Sequence, residues 1–189
     1  MRMKYPTQAE IKEFLIYDPE TGIFKWKYRE KFKTVSAKAA WNSRFPGTIA
    51  GTPDTKGHTM IAIHNRLYSA HRLAFIYVHG FDPPQEIDHR NRVKGDNKIT
   101  NIRMANGTEN NINKGLQKNN TSGVCGVIWH SKSQTWHTWI TKNRKKHWLG
   151  QFKIFTEAVR ARYNAEAKYG FTEFNQDSTA KQYLQEATQ

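Results

Sequence analysis

Glu86-Ile87-Asp88-His89, the polar run 90–100, Asn101-Ile102-Arg103-Met104 and the segment 108–116 decide how this chain is read. The first and third pieces have strand character, the second is loop, and the last has helical character. Residues 86–116 therefore read strand, loop, strand, helix. Neighbouring side chains of a regular strand point to opposite faces, so Asp88 and His89 can serve one site only if the backbone turns out of the strand at His89. The loop that begins at Arg90 permits that turn. Asn110 and Asn113 stand three apart on the expected helix and share a face, and Asn101 opens the second strand. Asn111 lies off that face and is expected in solvent.

Working outward towards the N-terminus, Ser69 or Ala70 opens a helix that runs through Leu73, Ile76, Tyr77 and Val78 and closes at Gly80. Strands at 60–63 and 67–70 flank His64-Asn65-Arg66 as a hairpin. Residues 29–57 mix basic residues with Pro46, Gly47, Gly51 and Pro53 and read as irregular, with one helical turn around Trp41. Thr7-Gln8-Ala9-Glu10 has the pattern of a capping box before Ile11, Phe14 and Leu15. A turn over Asp18-Pro19-Glu20-Thr21-Gly22 leads to a strand at 23–27. His71 sits beside the apolar face of its helix and is expected to be a buried, hydrogen-bonded structural histidine. Arg72 can pair with a carboxylate or a phosphate. His58, His64 and His79 carry no pattern.

Towards the C-terminus, residues 117–123 read as a linker. Three short strands at 127–129, 136–142 and 145–149 follow, then an amphipathic helix at 156–169 stopped by Gly170, and a frayed helix from about Asp177. The fold class is α+β. The expected organisation is an N-terminal helix, hairpin and irregular segment (1–57), a strand–loop–strand–helix core (58–116), the linker, a small three-stranded sheet with one helix (124–170), and a tail (171–189).

The formal net charge is +14 and the pI near 9.9, which points to an acidic partner, nucleic acid first. Cys125 is alone, so an intramolecular disulfide and a Cys-x-x-Cys zinc knuckle are excluded, and a reducing cytoplasm is the expected compartment. Residues 1–10 lack a signal-peptide core, and no apolar run is long enough to cross a bilayer. Between Lys114 and Gly170, eleven basic residues face only Glu157 and Glu166. Period-two alternation turns Val127, Trp129, Trp136, Thr138, Ile140 and Leu149 towards the helix. Ile128, His130, His137, Trp139, Thr141, Lys146 and Trp148 face outward. Trp129 and Trp136 are expected in the core, whereas outward Trp139 and Trp148 among basic residues suggest a binding face.

Residues 71–113 resemble the HNH homing endonucleases of phages and group I introns. The resemblance rests on His71-Arg72-Leu73, Ile87-Asp88-His89, Asp96-Asn97, Asn101-Ile102-Arg103, Asn110 and Asn113. It implies a ββα-metal core in which Asp88 and the Asn110 amide oxygen hold one divalent cation, Mg²⁺ with Mn²⁺ able to substitute. It also implies His89 as general base, Asn101 bonding the loop that aims His89, and Asn113 in support. The C-terminal segment is similar to ethylene-response-factor-type DNA-binding domains in Ser122-Gly123, Gly126-Val127, Trp136, Ile140, Trp148-Leu149-Gly150-Gln151-Phe152 and the alanine-rich helix. That similarity implies DNA contacts at Ile128, His130, Trp139, Thr141, Lys146 and Trp148, with Arg144 and Lys145 beside them in the basic footprint. The departures from the plant domains at these positions rule out transferring a target sequence.

The expectation is thus a divalent-metal-dependent endonuclease of homing type, acting on double-stranded DNA by nicking or double-strand cutting. No membrane and no small-molecule cofactor are expected. The oligomeric state is not legible, and a monomer is the working expectation. The alternative is a non-catalytic, sequence-selective DNA-binding regulator on a vestigial nuclease scaffold. An RNA-directed nuclease is a third reading.

Overall fold

A computed structural model describes residues 4–175 and 177–188. The chain divides into two units, Met1–Asn106 and Gly107–Gln189.

The first unit begins with α1 (Gln8–Phe14), whose N-terminus carries the full capping box: Thr7 accepts from Glu10 N, and the Glu10 carboxylate accepts from Thr7 N at 2.7 Å. Ile11 and Phe14 point inward. The chain then turns directly into β1 (Leu15–Asp18), paired antiparallel with β2 (Ile23–Trp26). The turn closes on Gly22 at φ 74, where a residue with a Cβ is strained.

Residues 29–57 are more ordered than the irregular reading. They hold α2 (Val35–Asn42) and β3 (Thr52–Pro53). Thr34 caps α2 by accepting from Ala37 N at 3.1 Å, and Ala37, Ala39 and Ala40 supply helix propensity. The expected single turn is therefore a two-turn helix.

Strands β4 (Thr59–Ile63) and β5 (Arg66–Ser69) complete a β3-β4-β5 sheet. The β4–β5 turn has His64 and Asn65 both at positive φ, 50 and 60, as a two-residue hairpin requires. Helix α3 (Ala70–His79) follows and ends on Gly80 in the left-handed conformation. Its buried side, Leu73, Ala74 and Ile76, joins Ile11, Phe14, Leu15, Tyr17, Phe24, Ile61 and Ile63 in one core. Finally β6 (Glu86–His89) and β7 (Ile102–Ala105) form a two-stranded antiparallel ribbon, which adds Ile87 and Ile102 to that core.

Arg72, open between carboxylate and phosphate on sequence, is structural. From α3 it donates to Asp82 Oδ1 at 2.6 Å, to the Gln85 carbonyl at 3.0 Å and to the Pro83 carbonyl. It thereby pins the extended Pro83-Pro84 segment that delivers the chain to β6.

The second unit starts with α4 (Gly107–Ile112), shorter than the expected 108–116. Its one buried residue, Ile112, clusters with Ile140, Ala165 and Phe171. The sheet has the order β10-β9-β8, built from β8 (Val127–His130), β9 (Thr135–Lys142) and β10 (Lys145–Phe152). Asn143 and Arg144 make its tight turn at positive φ. Helix α5 (Phe155–Lys168) packs on one face, with Ala158 and Val159 against Val124 and Val127. The buried Arg162 holds helix to sheet. It pairs with Glu166 at 2.9 Å and donates to the Trp139 carbonyl at 2.9 Å. The tail is not merely frayed: α6 (Thr179–Glu186) is capped by Ser178 and buries Ala180 in the same core.

One assignment in this unit is overturned. Trp129, expected in the core, is 42% exposed. It lies near the end of edge strand β8, and its ring meets that of Trp136 at 5.2 Å.

Candidate active site

Asp88 and His89 are the last two residues of β6, and strand alternation separates them. His89 is buried on the side of Ile87, while Asp88 is half-buried and lies opposite Arg103 in the β6–β7 register. Arg103 Nη2 donates to Asp88 Oδ2 at 3.1 Å. The chain then bends sharply: Arg92 N donates to the His89 carbonyl at 3.1 Å, and Arg92 has φ 64.

The His89 ring is held from the loop. Its Nε2 lies 3.0 Å from Asn97 Oδ1. An amide oxygen can only accept, so the neutral imidazole carries its proton on Nε2 and its lone pair on Nδ1. Burial holds the pKa of His89 below the ordinary histidine value, with the charge of His58 adding to the effect. The Asn97 hydrogen bond and the charges of Asp88 and Asp96 pull the other way. The ring therefore stays neutral, and basic, at neutral pH.

Asn101 ties the loop 90–100 shut. Its amide nitrogen donates to Asn91 Oδ1 at 2.9 Å and to the Asp96 carbonyl at 2.7 Å, and its amide oxygen accepts from Asn91 N at 3.0 Å. The backbone adds Arg90 N to the Asn101 carbonyl at 2.7 Å.

The N-terminal hairpin buttresses the same loop. Tyr17 Oη donates to the Asn97 carbonyl at 2.7 Å in a buried bond, and Ile99 N donates to the Pro19 carbonyl at 3.1 Å. A Cβ on Gly22 would stand 2.4 Å from Lys98 N, so only glycine lets the two backbones meet so closely. Asn97, Tyr17 and Gly22 were not assigned roles on sequence. Their partners lie up to 80 residues away, and only the 21–22 turn hinted at a constraint.

Two further histidines surround His89. His71 meets its ring edge-on at 4.9 Å, and His58 lies 6.3 Å from His89 and 5.6 Å from His71. The expectation of a hydrogen-bonded His71 is not met: its buried Nδ1 has no partner among the described residues. Burial, with the neighbouring His89 and His58, pushes its pKa down to about 3. His58, unremarkable on sequence, faces Asp54 Oδ2 at 3.5 Å.

Asn110 (half-buried) and Asn113 (buried) belong to the second unit, in and just after α4. Among the described residues no group of three or more His, Cys, Asp or Glu side chains could hold a metal ion. What Asp88 offers is one carboxylate, a hard oxygen donor. Mg²⁺ is commonly bound by one or two carboxylates together with substrate phosphates, so this donor chemistry fits such a cation and does not suit a soft one.

An HNH endonuclease family model matches residues 68–112. The matched stretch runs from β5 through α3 and the β6–β7 ribbon to the end of α4. This HNH match supports a nuclease function and, with it, a DNA substrate. No curated protein and no solved structure matches the chain. No helix among the described residues is long and apolar enough to cross a membrane.

The outer face of the second unit's sheet gathers the other expected site residues. Ile128, Thr141, Lys146 and Trp148 are exposed there, with His130 and Trp139 half-buried; Arg144 and Lys145 are exposed at the β9–β10 turn. Lys146 Nζ lies 3.8 Å above the Trp139 ring. His130 and His137 stack at 4.3 Å, and the edge of Trp148 meets His137 at 5.0 Å. Trp148, 56% exposed, is the most solvent-facing tryptophan of the sheet.

Proposed function

We propose that this chain is a divalent-metal-dependent DNA endonuclease in which His89 is the general base and Asp88 a cation ligand. The observation that supports it most is the treatment of His89: buried, neutral, and oriented by Asn97 so that Nδ1 carries the lone pair. Nδ1 would take a proton from a water attacking the phosphodiester. Asn101 would keep the loop closed on that geometry, and Arg103 would orient the Asp88 carboxylate.

In this reading the nuclease core is of the ββα-metal type. By the HNH resemblance, the Asn110 amide oxygen would be a further ligand of one cation, Mg²⁺ or Mn²⁺, with Asn113 in support. The bound cation would supply electrostatic stabilisation of charge developing on the phosphodiester. With so few protein oxygens, the site fills fully only when DNA phosphate is present.

The three-stranded sheet backed by one helix agrees with an ethylene-response-factor-type module. Its outer face, with Ile128, His130, Trp139, Thr141, Lys146 and Trp148, would hold duplex DNA. A homing role, nicking or cutting both strands, and a reducing cytoplasmic setting for the free Cys125 complete the proposal.

The test is incubation of the full chain with duplex DNA and Mg²⁺, with and without a chelator, beside Asp88→Ala. Cleavage that needs the metal and is lost in the variant, while DNA affinity persists, is the expected result. Binding without cleavage under any divalent metal would return the non-catalytic regulator.

A further inference from the structure

The charge of the first unit is concentrated in one place that neither the active site nor the sheet of the second unit uses. Residues 25–44 carry Lys25, Lys27, Arg29, Lys31, Lys33, Lys38 and Arg44 against the single acid Glu30, a net of +6 in twenty residues. The remainder of that unit nets only +2, and the whole of the second unit nets +6.

The segment is built so that much of this charge faces water. Helix α2 has no buried residue, and Val35 at its start is 86% exposed. It is anchored instead by an aromatic cluster: Trp41 meets Trp26 edge-on at 5.3 Å, stacks on Phe45 at 4.2 Å and lies 6.2 Å from Phe32. Arg29 is consumed inside that cluster, 4.5 Å from the Phe14 ring and 4.9 Å from Trp41, and its backbone is clamped by both ends of the Asn42 amide. Lys27 caps the Lys12 carbonyl, while Lys38 and Lys31 meet Glu30 and Glu13. That leaves Lys25, Lys33 and Arg44 exposed and in no salt bridge among the described residues; Lys25 has only the nearby charge of Asp18, and Arg44 lies 5.3 Å from the Phe45 ring. Lys33 and Arg44 bracket α2, whose surface between them is small: Ser36, Ala37, Ala39 and Ala40 are all exposed. Short side chains flanked by cations let a polyanion backbone come close.

We infer that residues 25–44 are a second docking surface for the phosphodiester backbone of duplex DNA, separate from the outer face of the second unit's sheet. The inference rests on the nuclease reading above for the identity of the polyanion. It gives the unit that carries Asp88 and His89 its own hold on the duplex. The contacts would be to phosphate and would therefore not depend on sequence.

The experiment is a salt titration of the full chain on a duplex of unrelated sequence, without divalent metal. Wild type is compared with the triple variant Lys25→Gln, Lys33→Gln, Arg44→Gln and with a control, Lys4→Gln, Lys56→Gln, Arg66→Gln, that removes equal charge from exposed positions elsewhere in the same unit. Each phosphate contact contributes about 0.9 to the slope of log affinity against log salt. The docking variant should lose about 2 to 3 from that slope and bind at least tenfold more weakly at low salt, the control losing less than about 1. Unchanged far-ultraviolet circular dichroism and melting temperature establish that both variants fold. Equal losses in the two variants, or an unchanged slope in the docking variant, overturn the inference and leave the nuclease reading standing. Failure of wild type to bind duplex DNA overturns both.

Discussion

Replacing Gly22 by alanine separates a catalytic loop that is buttressed from outside from one that holds itself. Gly22 touches neither Asp88 nor His89 in sequence, but its turn presses on the loop that orients His89. At φ 74 an L-residue is strained by about 1–2 kcal/mol. The added Cβ would also meet Lys98 N at 2.4 Å and the Asn97 carbonyl carbon at 2.5 Å, backbone atoms that no side-chain rotation can move aside. The turn and residues 97–98 must part, which stretches the Ile99–Pro19 bond and the buried bond from Tyr17 to Asn97. Each is worth about 0.5–1.5 kcal/mol net. The total is about 2–5 kcal/mol, and for a unit of this size the melting temperature should fall by at least about 8 °C. The second readout is single-turnover cleavage at a temperature where the variant is fully folded. It should drop at least about tenfold, as for loss of a residue that orients a catalytic histidine. A Gly22→Ala protein with unaltered melting and cleavage would refute the buttress.

Two other outcomes follow from the same structure. Arg72→Met should destabilise the first unit by about 3 kcal/mol in urea unfolding, because Asp82 and the Pro83 and Gln85 carbonyls lose a buried donor; a change below about 0.5 kcal/mol would show that α3 and the 82–85 segment are held otherwise. His71 is depressed to about 3 in the folded chain from 6.5. Below pH 6.5 the unfolded chain therefore takes up a proton that the native one refuses, so this contribution to stability is complete above pH 6.5 and is lost as pH falls towards 3. The loss is up to about 1.4 kcal/mol per pH unit, and His71→Leu should flatten the pH dependence of unfolding by about one proton; an identical pH dependence in the variant would contradict the buried, neutral ring.

The elements legible in the sequence are those whose signal is local. The Asp88-His89 strand and its return at Ile102 stand out by a polar loop between apolar runs, α3 by its apolar spacing and Gly80, and β8 to β10 by period-two alternation. Features made by distant residues were illegible. Helix α2 is held by Trp26, Phe32, Trp41 and Phe45, an aromatic cluster gathered from outside the helix as well as within it, so on sequence the segment reads as irregular with a single helical turn. The grouping of His58 and His71 around His89 joins three elements that share no spacing. Alternation put Trp129 on the inner face, but it could not tell that an edge strand leaves such a ring half uncovered. At the site, the Asp88-His89 pair and Asn101 were visible as residue types at set separations. Asn97 was quoted without a role because its task, bonding Nε2 of His89, exists only once the loop has closed.

The most direct measurement is the single-turnover rate of duplex cleavage by His89→Ala at saturating DNA and Mg²⁺, set against its DNA dissociation constant. A general base contributes about 10²- to 10⁴-fold. The rate should fall by that much while the dissociation constant stays within about twofold. Cleavage at the wild-type rate would mean that the water is activated elsewhere and that His89 is only part of the fold.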